Sequence, residues 1–99
     1  MEVLEPRLDA RIAVDFKQQV IERIQKGEKT LLLSLKNVNF IDSSGLGAIV
    51  SCLKALGREG DLVISGVQDT VHSLFKLTRM DKVFRLFPGE TEALQALNS

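Results

Sequence analysis

The run TLLLSL, Thr30 to Leu35, constrains this chain more than any other stretch. It is nearly continuous in apolar residues and bounded by polar ones, which reads as a strand covered on both faces. Strands of that kind belong to parallel sheets whose crossover helices shield them from water. LVIS, Leu62 to Ser65, is a second such run, broken by Gly66.

Helical spacing fills the intervals. Asp9 is placed to cap a first helix, in which Ala13, Phe16, Val20 and Ile24 recur on one side and Gly27 marks the stop. A second helix shows Leu46, Ile49, Val50, Leu53 and Leu56 on one face and ends near Gly57 or Gly60. A third opens at Asp69 or Thr70 and uses Val71, Leu74 and Phe75. VFRLF, Val83 to Phe87, alternates like a strand with one drier face; Pro88 and Gly89 turn the chain, and TEALQAL is a short last helix. Strand and helix alternate throughout, with no linker or repeat. The expected fold is one α/β domain over residues 1–99, with helices packed on a mixed, mostly parallel sheet.

Composition narrows the function. Thirteen basic residues balance thirteen acidic ones, so the chain lacks the basic footprint of a nucleic-acid binder. It has no Trp and no Tyr on which bases could stack. Its apolar runs fall far short of the roughly 20 residues of a membrane span. No charged leader with an apolar block opens it, so neither membrane insertion nor export is expected. A single cysteine, Cys52, excludes an internal disulfide framework and suits a reducing cytoplasm. Cys52 itself reads as a small core residue, and His72 as a surface or cap-region histidine.

In open α/β sheets, functional groups gather where strands give way to helices. IDSSGLG, Ile41 to Gly47, stands at such a junction. A phosphate-binding Walker loop would need a lysine there, and none comes before Lys54. A dinucleotide fingerprint needs three spaced glycines; only Gly45 and Gly47 occur. A hydrolase elbow needs glycine two residues before its serine, but Ile41 precedes Ser43 and Asp42 precedes Ser44 at that spacing. One His and one Cys without paired spacing make no typical zinc site. No catalytic residue, metal or cofactor is expected. Two readings of the junction remain. In one, Asp and Ser simply cap a helix and the glycines let backbones approach. In the other, two glycines in a helix's first turns are too costly for a mere cap. They strip the surface beside two hydroxyls for another protein to dock.

NVNFIDSSGLGAIVSCLKAL, Asn37 to Leu56, resembles the signature of the STAS domain, specifically of bacterial anti-sigma factor antagonists. The downstream LVISGVQDTVHSLFKLTRMDKVFRLFPGETEAL is similar to that family's closing elements, and RLDA, Arg7 to Ala10, resembles the Leu-Asp pair before its first helix. The resemblance implies a STAS fold and a cytoplasmic phosphoprotein that acts by binding, as a substrate rather than an enzyme. Its expected partner is an anti-sigma factor that is also a GHKL-type serine kinase. That kinase would phosphorylate Ser43, the first serine after the aspartate, and a PP2C-type phosphatase would reverse it. Unphosphorylated, the chain would hold the anti-sigma factor and free a sigma factor. Asp9, Asp42, Ser44, Gly45, Leu46 and Gly47 are the expected partner-binding residues; Asp42 either orients the loop or contributes polar docking. The rival reading is an accessory STAS subunit of a membrane transporter, using the same helix face constitutively. The family usually carries two strands before the Leu-Asp pair, where this chain has only Met1 to Leu8. A shortened N-terminal strand region is therefore expected, with a sheet edge open to self-association.

Overall fold

A computed structural model describes residues 1–58 and 60–98. Its elements run β1 (Arg7–Leu8), α1 (Ala10–Gln25), β2 (Thr30–Ser34), β3 (Phe40–Ile41), α2 (Ser43–Leu56), β4 (Asp61–Ser65), α3 (Asp69–Leu77), a 3-10 turn at Met80–Lys82, β5 (Arg85–Phe87) and α4 (Glu90–Leu97). The two apolar runs lie side by side, as their composition requires. β2 pairs in parallel with β4, from Thr30 opposite Asp61 to Ser34 opposite Ser65, and β4 pairs in parallel with β5. Leu33, Leu35, Val63 and Ile64 are almost wholly buried.

The N-terminal stretch is strand-like in two short pieces. The Val3 N–H donates to the Ser34 carbonyl and the Ser34 N–H to that of Met1. Further along, β1 pairs in parallel with β3, Leu8 opposite Ile41. Residues 1–8 thus run along residues 34–41, and Pro6, which has no N–H to offer a ladder, takes part by accepting from the Asn39 N–H at 2.8 Å.

Helix boundaries follow local chemistry. Asp9 caps α1, its carboxylate accepting from the N–H groups of Arg11 and Ile12. Gly27 follows the end of α1 at φ 99° and donates to the Ile24 carbonyl, a left-handed stop that glycine adopts without strain. Gly57, at φ 73°, ends α2. α1 buries Ala13, Phe16 and Val20; α2 buries Ala48, Ile49 and Cys52. Desolvation pushes the Cys52 thiol up to about 11, so near neutral pH it is a neutral packing group.

One element departs from its expected span. VFRLF becomes a strand only at Arg85. The chain first makes its 3-10 turn, and the N–H groups of Val83 and Phe84 both donate to the Met80 carbonyl. That turn drives Phe84 inward against Phe75, ring centroids 6.3 Å apart, leaving Val83 half in water. Core burial of Phe84 outweighs strand alternation here.

Candidate functional site

Two helix starts converge on the paired strands β1 and β3. Because Leu8 lies opposite Ile41, the next residues, Asp9 and Asp42, stand at the same level of the fold. Each leaves its strand in extended backbone and caps the helix that follows, α1 and α2 respectively. The Gly45 N–H donates to Asp42 Oδ1 at 2.9 Å, and the Leu46 N–H to the Asp42 carbonyl at 3.0 Å. Asp42 is also tied back to β1, donating its own N–H to the Leu8 carbonyl at 3.3 Å. The carboxylate therefore caps α2 and holds the junction in place. Asp9 makes a second contact: Oδ2 lies 3.6 Å from Nε of Arg7, whose guanidinium carbon sits 4.5 Å from the Phe40 ring centroid.

Ser43 and Ser44 occupy the first two positions of α2, and both are exposed. Their backbone N–H groups have no intrahelical acceptor, because the first four of any helix lack one. Ser43 therefore presents a hydroxyl to solvent beside unsatisfied donors and the positive end of a helix dipole, which favours an anion. His72 is exposed on α3, and no hydrogen bond joins it to either serine among the described residues.

The two glycines divide between the readings offered for them. Gly45 is buried, and a Cβ there would fall 2.0 Å from the Leu8 carbonyl oxygen. Its lack of a side chain serves the fold, letting α2 seat against β1, and it presents no side chain to a partner. Gly47 is exposed, and a Cβ there would meet nothing within 4 Å. Among the described residues, neither packing nor backbone conformation demands glycine at that position. Gly47→Ala is expected to raise stability by about 1 kcal/mol, the difference in helix propensity. Thermal unfolding of the variant checks this; a lowered midpoint would reveal a contact that Gly47 avoids. Leu46 is half-buried against the core.

Sequence reasoning missed two members of this neighbourhood. Leu8 is wholly buried and its carbonyl dictates Gly45. Val14 is 68% exposed on α1. It stands off the stripe of Ala13, Phe16 and Val20, and that misplacement of an apolar residue was the available signal.

Comparison with known proteins agrees with this architecture. A family model described as the STAS domain matches residues 4–93. An anti-sigma F factor antagonist of Paenibacillus polymyxa is 32% identical over 96 residues, covering 95% of this chain and 82% of that protein. An anti-sigma-B factor antagonist of Staphylococcus aureus is 31% identical over 83 residues, 83% of this chain and 77% of the other. A solved Thermotoga maritima structure superposes with a TM-score of 0.90 at 26% identity, covering 99% of this chain and 86% of that one.

Proposed function

The chain belongs to the STAS domain family, and from that membership we propose that it is an anti-sigma factor antagonist switched by phosphorylation of Ser43. Unphosphorylated, it binds an anti-sigma factor and so releases a sigma factor in the cytoplasm. The anti-sigma factor doubles as a GHKL-type serine kinase. It transfers the γ-phosphoryl group of ATP to Ser43 Oγ, with loss of the hydroxyl proton and departure of ADP, and a PP2C-type phosphatase hydrolyses the ester.

The observation that carries this reading is the placement of Ser43: an exposed hydroxyl at the first position of α2, directly after the capping Asp42. A phosphate adds about −1.5 to −2 charge there. The helix end accommodates it, since free N–H groups and the dipole favour an anion. A partner packed over the serine does not, because it would desolvate a dianion next to a carboxylate. The modification therefore acts on binding more than on folding. Exposed Ser44 and Gly47, with Asp9 and half-buried Leu46 beside them, complete the partner surface; Gly45 shapes it from beneath.

Incubation with the purified kinase and ATP, followed by fragment mass mapping, tests the site. Phosphate is expected on Ser43. Phosphate found only on Ser44 would refute the assignment.

A further inference from the structure

Ser44 opens onto a shallow groove between α1 and α2, with Ala10, Val14 and Lys17 along one side and Ala48 and Ser51 along the other. None of these side chains is acidic, and α2 from Ser43 to Leu56 contains no Asp or Glu. Asp9 and Asp42, which cap α1 and α2 at the head of the groove, are engaged by backbone N–H groups of those helices, and the acids within α1 stand elsewhere. Asp15 lines the cleft under the N-terminal segment, and Glu22, seven residues on, shares its side of the helix. One cation, Lys17, lines the groove, and a second, Lys54, stands outside its lining, one turn beyond Ser51 and two beyond Gly47 on α2. Neither makes an ion pair among the described residues. The exposed Val14 gives the groove an apolar centre. Gly47 leaves its rim open at a position where nothing among the described residues requires glycine.

We infer that this groove seats an acidic segment of the anti-sigma factor that carries apolar side chains. The inference rests on the function proposed above and adds the chemistry of the partner. The apolar side chains cover Val14, and carboxylates meet Lys17 and Lys54. Gly47 admits close approach of the partner backbone. The charge arrangement also sharpens the switch. Phosphate on Ser43 stands next to Ser44 at the head of the groove, so it faces the partner's carboxylates and repels them in addition to its desolvation cost. The other apolar cleft, between β3 and α3, exposes Phe40 and Leu77. The cation beside it, Arg7 over Phe40, is already paired with Asp9.

The test uses the purified anti-sigma factor and calorimetric titration at two salt concentrations. Lys17→Glu, Lys54→Glu and Val14→Asp are each expected to weaken binding about tenfold or more, and the charge reversals to flatten the salt dependence. Lys17→Arg should bind like the parent, and all four variants should unfold at nearly the parent's temperature because the positions are exposed. Hydrogen exchange in the complex should protect α1 and α2. Folded variants that bind like the parent, or protection confined to β3 and α3, would overturn the groove while leaving the antagonist function standing. An anti-sigma factor that fails to bind the parent chain would remove both.

Discussion

Gly45→Ala is expected to destabilise the chain by about 2 kcal/mol or more, although it adds a single methyl group. An ideal Cβ at Gly45 lies 2.0 Å from the Leu8 carbonyl oxygen, 2.9 Å from its carbon and 3.0 Å from Leu8 Cγ. The nearest atoms are backbone, which yields less readily than the end of a flexible side chain. Leu8 is also held from several directions. It pairs with Ile41, accepts from the Asp42 N–H and is fully buried. Moving it aside would loosen the strand pair and the cap of α2 together. Overpacking of this severity falls at or above the usual upper range of about 3 kcal/mol, whereas alanine's helix propensity returns only about 1 kcal/mol. Small domains hold roughly 5–15 kcal/mol in all, and each kcal/mol shifts the midpoint by about 4–8 °C at this size. Thermal unfolding of the two glycine variants side by side gives a sign test: Gly45→Ala falls and Gly47→Ala rises. A Gly45→Ala protein as stable as the parent would contradict the seating of α2 on β1.

This pair of glycines also marks where sequence reasoning reached its limit. TLLLSL and LVIS were legible because a continuous apolar run has few alternatives to a strand covered on both faces. Asp9 and Asp42 were legible as caps because capping is chemistry between near neighbours. The division of labour between Gly45 and Gly47 was not, since it depends on Leu8, a residue from another element brought close only by the β1–β3 pairing. Phe84 shows the same limit. Its alternation with Leu86 suggested a strand, while the contact with Phe75 that turns the chain is tertiary. The exposed hydroxyl of Ser43 was anticipated from its motif, but the groove beside Ser44 needed the packing of α1 on α2 to be seen.

Ser43→Asp is expected to lose most of its affinity for the anti-sigma factor, and Ser43→Ala to keep it while escaping inactivation. Burying an uncompensated charge in an interface costs several kcal/mol, and about 3 kcal/mol already exceeds a hundredfold in affinity. Folding responds in the opposite sense or hardly at all. An acidic side chain in the first turn of α2 interacts favourably with the helix dipole by about 0.3–1 kcal/mol. Aspartate carries roughly half the charge of a phosphate, so the variant sets a lower bound on the effect of the modification. An Ser43→Asp chain that lost binding only because it had unfolded would rule out electrostatic exclusion.

The central claim is that phosphate on Ser43 changes binding and leaves the fold alone. Calorimetric titration of the anti-sigma factor with the phosphorylated and unphosphorylated chains, paired with thermal unfolding of each, measures both halves at once. The account predicts binding by the unphosphorylated chain and a loss of more than about a hundredfold on phosphorylation, with unfolding midpoints that nearly coincide. Equal affinity of the two forms, or a loss of binding that tracks a collapse of the midpoint, would contradict it.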